Sequence, residues 1–119
     1  MKTLALTALS LIALSFSSNA FAEDMEISDV MKNAMKGEAS LYQRVAKGEA
    51  SDDDAMLLFK YVSTLKGKTP PRGDQSSWDR KTKALIGAAQ QVAFGNKQAM
   101  RTLQTAGNCK SCHSSHKED

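Results

Sequence analysis

Near its C-terminal end the sequence reads Cys109-Lys110-Ser111-Cys112-His113. A Cys-x-x-Cys-His run is typical of covalent haem attachment: the two thiols bond to the vinyl groups of one porphyrin, and the histidine binds the iron. One helical turn that begins at Cys109 can present all three groups to the same porphyrin face. The motif therefore predicts one covalent haem c, with Cys109 and Cys112 as thioether residues and His113 as the proximal iron ligand.

Other interpretations of these residues agree less well with the sequence. A disulfide between Cys109 and Cys112 would close a very short loop and would stabilise the fold little. A thiol redox pair is expected near a βαβ pattern, and no such pattern is recognisable. A zinc site needs four ligands, and here all the candidates, including His116, would come from residues 109–116, without a second element to complete the site.

Residues 1–22 have the pattern of a secretory signal peptide. Lys2 supplies the positive charge, the segment from Leu4 to Phe16 is apolar, and Ala20-Phe21-Ala22 matches the small-residue cleavage pattern. The apolar segment is shorter than the roughly 20 residues that a membrane-spanning helix needs. We therefore predict cleavage at this point, export to the periplasm, where bacteria attach haem, and a mature domain at 23–119 without a membrane span.

The composition limits the function classes. The chain has 16 Lys and Arg against 13 Asp and Glu, which gives a formal net charge of +3. This balance argues against a nucleic-acid-binding protein, which usually has a clustered basic face, and is compatible with weak docking to redox partner proteins. A single domain of this size often needs a cross-link or a bound cofactor to be stable, and a covalent haem would provide both.

The spacing of apolar residues predicts four amphipathic helices and no strand. The expected helices run from about Met25 to Lys47, from Ser51 to near Lys66, from Ser76 or Ser77 to about Phe94, and from about Lys97 to beyond His113. Ser51 with the three aspartates after it predicts a capped helix start, and residues 67–77 predict one long loop. Short links between such helices predict an all-α fold, an antiparallel four-helix bundle that encloses the haem.

The sixth iron ligand is expected from an earlier helix, because few residues follow His113. In an up-down-up-down bundle the first helix lies beside the fourth, and it carries Met31 and Met35 one turn apart. We prefer Met35 as the distal ligand because it lies deeper in the expected helix, and Met31 is the alternative. Either could instead be an ordinary core residue. Met100 is too far back on the helix of His113 to reach the opposite haem face.

Other side chains are interpreted from their positions in the expected helices. His116 is expected to be exposed near the chain end. Tyr42 and Phe59 are expected to form walls around the haem. Trp78 could stack on the haem, but we expect it to close one end of the bundle.

These features resemble the class II cytochromes c, the cytochrome c′ family and its low-spin relatives. The resemblance covers most of the mature chain and rests on the export signal, the four helices, the haem motif, the pairs Met31-Lys32 and Met35-Lys36, and the segment Val45-Ala46-Lys47-Gly48-Glu49. It implies a left-handed four-helix bundle with haem near one end, often a homodimer through the first two helices. It places the distal position at Met31 or Met35.

The chain departs from this family at the haem edge. An arginine that commonly contacts the haem propionates has no counterpart, because Ile27 and Met31 occupy those places. Lys32, Lys36 and Arg72 are the candidates to replace it.

The expected function is electron transfer without enzymatic activity. With His113 and a methionine as ligands, the iron would be low-spin and would exchange single electrons with redox partners of a periplasmic electron-transport chain. The alternative is a five-coordinate, gas-binding haem protein whose distal face is open to nitric oxide or carbon monoxide. A third reading is a haem-free thiol oxidoreductase.

Overall fold

A computed structural model describes residues 25–117, so the predicted signal peptide, the first two residues of the predicted mature domain and the last two residues lie outside the described part. The helices are α1 (Ile27–Val30), continued by a π-helical turn (Met31–Met35), then α2 (Leu41–Ala46), α3 (Asp52–Ser63), α4 (Gln75–Ala93), α5 (Ala99–Ala106) and α6 (Cys109–His116). Over this range the chain contains no strand, and the all-α prediction is confirmed. None of these helices is both long enough and apolar enough to cross a bilayer.

The expected first helix is interrupted in the middle, so its prediction as one continuous element is wrong. After the π-helical turn, Lys36 has extended backbone angles, and Gly37 has a φ of +97° that side-chain-bearing residues rarely adopt. The chain then restarts as α2, where the Ser40 hydroxyl accepts a hydrogen bond from the Gln43 amide at 3.1 Å. A glycine followed by a serine N-cap is therefore a stop and restart signal in this segment.

The start of α3 agrees with the sequence, and the start of α4 does not. The Ser51 hydroxyl accepts from the Asp54 amide at 3.1 Å, and the Asp54 carboxylate reaches back to the Ser51 amide, which completes a capping box. The cap of α4 is Asp74, whose carboxylate accepts from the Ser77 amide at 3.2 Å. The expected cap at Ser76 or Ser77 is wrong because the aspartate two or three residues earlier already accepts from the first turn.

The helical segments pack in a closed ring around one core. In this ring α3 packs against α2 and α4, α4 packs against α5, and α5 returns to α2, while α6 contacts α4. Burying a Leu or Val side chain stabilises a fold by about 1.5–3 kcal/mol, so this core dominates the stability. Its best-buried side chains include Val30, Leu58, Val62, Leu65 and Leu103.

One ion pair on the surface makes the stability depend on pH. Arg44 donates from Nη1 to Asp54 Oδ2 at 3.0 Å, which links α2 to α3. This hydrogen bond lowers the pKa of Asp54. The contact therefore stabilises the fold above the unfolded-state pKa of aspartate, about 3.9, and is lost as the pH falls through the lower folded-state pKa.

We accordingly expect Asp54→Asn to lower the melting temperature at pH 7 and to have no effect once the pH lies below the folded-state pKa. Thermal unfolding followed by circular dichroism between pH 7 and about 2 tests this. Asp53→Asn is the control, because it removes a charge from the same helical turn and leaves the Arg44 contact in place. If the melting temperature of Asp54→Asn stays below that of the wild type by the same amount down to the lowest pH, the ion pair with Arg44 is not the cause of the pH dependence.

Candidate functional site

The motif residues begin a short helix of their own, so the expected continuous fourth helix is wrong. Gly107 ends α5, and a Cβ atom at this position would overlap the Tyr42 ring. The Asn108 side chain then accepts from the Lys110 amide at 3.0 Å and from the Ser111 amide at 3.3 Å, which caps α6. The Gly-Asn pair before the motif was the available signal for this break, since glycine ends helices and asparagine starts them.

Two cationic side chains fix α6 to the rest of the fold. Arg72 Nη2 donates to the Ser114 carbonyl oxygen at 2.8 Å, close to the C-terminal end of α6. Lys81 Nζ donates to the Ser111 carbonyl oxygen at 2.8 Å and lies 3.4 Å from the Ser115 hydroxyl. The loop before α4 and the first turns of α4 therefore determine where α6 lies.

His116 completes this attachment and is buried, so the expectation that it is exposed is wrong. Its exposed fraction is 2%. His116 Nδ1 lies 3.0 Å from the Arg72 carbonyl oxygen, which can only accept, so Nδ1 carries the proton. His116 Nε2 lies within hydrogen-bond distance of the Ser77 hydroxyl, at 3.1 Å. We call the contacts of Arg72, Lys81 and His116 the α6 clamp.

A cavity of about 610 Å³ lies between the first helical segment, α4 and α6. Its volume is within the range of about 300–1,000 Å³ found for ligand pockets. The apolar part of its lining includes Ile27, Leu65, Pro71, Trp78, Leu85 and Ala106. The cavity can therefore hold a largely apolar small molecule against the motif helix.

All five predicted haem-binding residues line this cavity. Cys109, Cys112 and His113 line it from α6, while Met31 and Met35 line it from the π-helical turn. Cys109 and His113 are exposed, and the other three are half-buried. The fold thus brings the haem motif and both candidate distal ligands to one site, although they lie at opposite ends of the described chain.

The π-helical turn changes the argument for one methionine over the other. The turn is closed by a hydrogen bond of 2.8 Å from the Lys36 amide to the Met31 carbonyl oxygen. Such turns are rare in proteins as a whole, but those that occur are frequently found at functional sites. Met35 is the last residue of the turn, directly before the break at Gly37. The premise that it lies deep within a long helix is therefore wrong, and both methionines occupy comparable positions on the cavity wall.

The ionisable residues around the cavity are predominantly basic. Lys32, Lys36, Lys81 and Lys117 line it, and none of its described lining residues is an Asp or a Glu. A concave surface with one sign of charge attracts ligands of the opposite sign. The lining therefore favours an apolar ligand that carries carboxylate groups, as haem does with its two propionates.

Trp78 lies in the cavity wall with an unused hydrogen-bond donor. The side chain is 3% exposed, and its Nε1 has no hydrogen-bond partner among the described residues. Its ring packs edge to face on His116, with centroids 5.7 Å apart. A buried donor without a partner costs about 1–3 kcal/mol, and an acceptor on a bound ligand would remove this cost. The residues present therefore fit haem, whose propionates are such acceptors.

Tyr42, Phe59 and Met100 do not line this cavity. The Tyr42 hydroxyl donates to the Leu103 carbonyl oxygen at 3.1 Å, and burial raises the Tyr42 pKa. Phe59 packs edge to face on Phe94 at 6.0 Å between centroids. The expectation that Tyr42 and Phe59 form haem walls is therefore wrong: Tyr42 links α2 to α5, and Phe59 packs on the end of α4.

The thiol and zinc interpretations gain no support from the site. Burial raises the pKa of the Cys112 thiol, whereas reactive cysteines have a lowered pKa. Across residues 25–117 no group of three His, Cys, Asp or Glu side chains is placed to hold a metal ion. Both ring nitrogens of His116 are already hydrogen-bonded within the clamp.

We compared the chain with protein-family models, with curated proteins and with solved structures, and none of the three comparisons gave a match. The functional argument therefore depends on the residues of this chain and on the geometry of its cavity.

Proposed function

We propose that the chain is an exported mono-haem c-type cytochrome that carries single electrons between redox partner proteins in the periplasm. The observation that carries this proposal is the composition of the cavity. One wall presents the Cys-x-x-Cys-His motif, and another presents two methionines. This is the set of groups that holds a six-coordinate haem iron in electron carriers.

Each group has a defined role in this proposal. The thiols of Cys109 and Cys112 would form the thioether bonds, and the His113 imidazole would bind the iron. Met35, the first candidate from the sequence, or Met31, which lines the same cavity wall, would supply the second protein ligand. The bound haem supplies a reversible one-electron couple between ferric and ferrous iron. The α6 clamp keeps the motif helix, and with it the His113 backbone, in a fixed position.

The proposed architecture is an antiparallel four-helix bundle whose first and fourth helices are each broken beside the haem site. The ring of packed segments around one core supports it. Cofactors in such bundles are held in the core by side chains from facing helices. Gly37, Gly107 and Asn108, at which these two helices break, themselves line the cavity.

The arrangement favours electron transfer over catalysis. With His113 and one methionine as ligands, the haem iron would have no position left for a substrate. Cys109, Lys110 and His113 are exposed, so one side of the motif helix lies at the molecular surface. A partner protein can therefore approach the haem attachment site closely.

The pyridine haemochrome assay and intact mass of the exported protein test this proposal. We expect one haem per chain and a mass equal to that of the processed polypeptide plus one haem. A Cys109→Ser/Cys112→Ser variant is the matched control, because the two thiols are replaced by hydroxyls of similar size, and it should lose the covalent haem completely. Colourless wild-type protein with the mass of its polypeptide alone would disprove the proposal.

The five-coordinate, gas-binding alternative is favoured by one observation. The helical segment with both methionines is short and ends in the break at Gly37, so it is not part of one long rigid helix. The visible spectrum distinguishes the two functions. Sharp α and β bands in the ferrous protein, with the weak long-wavelength band of His/Met-ligated ferric haem, indicate the electron carrier. Broad high-spin bands indicate the gas-binding protein.

A further inference from the structure

We propose that Trp78 and Lys81 together bind one carboxylate of the molecule held in the cavity. The inference rests on the proposed function, in which this carboxylate is a haem propionate. Both residues line the cavity, and both belong to α4. They would replace the propionate-binding arginine whose position in this chain is occupied by other residues.

The first argument is the unused donor of Trp78. Buried polar groups are nearly always hydrogen-bonded, and Trp78 Nε1 is buried without a partner in the described part of the chain. The indole can only donate, so its missing partner must be an acceptor. Because the side chain lines the cavity and its ring is fixed against His116, the cavity ligand is the natural source of that acceptor.

The second argument is that Lys81 forms no ion pair with a carboxylate of residues 25–117. Lys81 lies three residues after Trp78 on α4, so the two side chains lie on the same helical face. The hydrogen-bond partners of its ammonium group, the Ser111 carbonyl and the Ser115 hydroxyl, are both neutral. An ammonium group has three N–H donors, so one remains for a third acceptor. A carboxylate there would gain a charge-assisted hydrogen bond beside the indole N–H.

The other candidates are less suited to this role. Arg72 does not line the cavity, and its guanidinium donates to the carbonyl groups of His113 and Ser114. Lys32 and Lys36 line the cavity but are exposed, whereas Lys81 is half-buried. A lysine that is partly withdrawn from water interacts more strongly with a carboxylate than a solvated one does.

Ultraviolet resonance Raman spectroscopy of the haem-loaded protein tests the Trp78 contact directly. Trp78 is the only tryptophan of the chain, so the indole signal has a single source. We expect the bands of a hydrogen-bonded indole N–H. Bands of a free N–H in protein that contains haem would overturn the inference and leave the proposed function intact. Protein without haem would overturn both.

The pH dependence of the reduction potential tests whether Lys81 contacts a carboxylate of the bound haem. Removing a cation beside a carboxylate raises the pKa of the carboxylate, by about 1–3 units for a close contact. We expect Lys81→Met to raise the propionate pKa seen in this titration by about 1 unit or more, and the exposed Lys83→Met on the same helix to leave it unchanged. Equal shifts in the two variants would overturn the inference.

Trp78→Phe serves as a second variant, because it removes the indole N–H and keeps the contact of Lys81 with the Ser111 carbonyl. We expect it to shift the same propionate pKa upward, by less than Lys81→Met does. An unchanged pKa in Trp78→Phe would overturn the role of the indole. The other ionisable residues that line the cavity stay unaltered in all three variants, namely Lys32, Lys36, Lys117, Cys109, Cys112, His113 and His116.

Discussion

Exported Met35→Ala protein is expected to contain the same covalent haem as the wild type but to be high-spin and to bind carbon monoxide in its ferrous form. The alanine cannot reach the iron, so only His113 would remain as an axial ligand. Loss of a thioether ligand opposite histidine also lowers the reduction potential. We expect a complete change of spin state and a change from no detectable carbon monoxide binding to one molecule per haem, both measured by visible spectroscopy.

Two further methionine variants make the Met35 result specific. Met100→Ala is the matched control, because Met100 lies on α5 near Gly48 and does not line the cavity, so the spectrum should stay low-spin. If Met31→Ala becomes high-spin and Met35→Ala does not, Met31 is the distal ligand. If both variants keep the wild-type spectrum, the proposed methionine ligation is wrong.

Gly73→Ala is expected to destabilise the fold by about 2–5 kcal/mol, because two unfavourable effects coincide at this residue. Gly73 has a φ of +90°, which is strained for any residue with a side chain. A Cβ atom would also overlap the Ser115 carbonyl oxygen and would lie 2.7 Å from His116 Nδ1. Small domains are stable by about 5–15 kcal/mol, so the loss is a large fraction of the total.

Gly95→Ala is the control that separates the cost of backbone strain from the cost of atomic overlap at the new Cβ atom. Gly95 has a φ of +99°, but a Cβ atom there would meet nothing within 4 Å. We expect Gly95→Ala to cost only the strain, about 1–2 kcal/mol. Urea denaturation followed by far-ultraviolet circular dichroism gives both values. If the two variants lose equal stability, the close approach of the loop to α6 does not contribute and the α6 clamp is not as tight as described.

The features that the sequence predicted correctly depend on residues close together in the chain. The apolar spacing predicted helices and no strand within residues 25–117, and the Ser51 capping box needs only a serine and an aspartate three residues apart. The break at Gly107-Asn108 belongs to the same local class. The prediction of one continuous helix that ends in the haem motif is wrong at this glycine-asparagine pair.

The features that were missed depend on contacts between distant segments. His116 is buried because the Arg72 carbonyl and the Ser77 hydroxyl, about 40 residues earlier, lie beside it. The Arg72 guanidinium donates to the His113 and Ser114 carbonyl oxygens of α6, so its hydrogen-bond donors are engaged within the protein. No local pattern indicates which loop covers a terminal helix, since such contacts follow from the packing of the whole domain. The π-helical turn at Met31–Met35 is likewise not signalled by its residue types.

The cavity takes its walls from the first and last helical segments of the described chain, and this has a consequence for how the protein matures. In the proposed cytochrome, the thioether bonds would need only the local motif, whereas iron ligation from both sides would require that these distant segments have met. Forming such contacts is the late and slow part of folding, because a long stretch of chain must be ordered first. A low-spin spectrum would then act as an optical signal of completed folding, available in crude cell extracts and without any added probe.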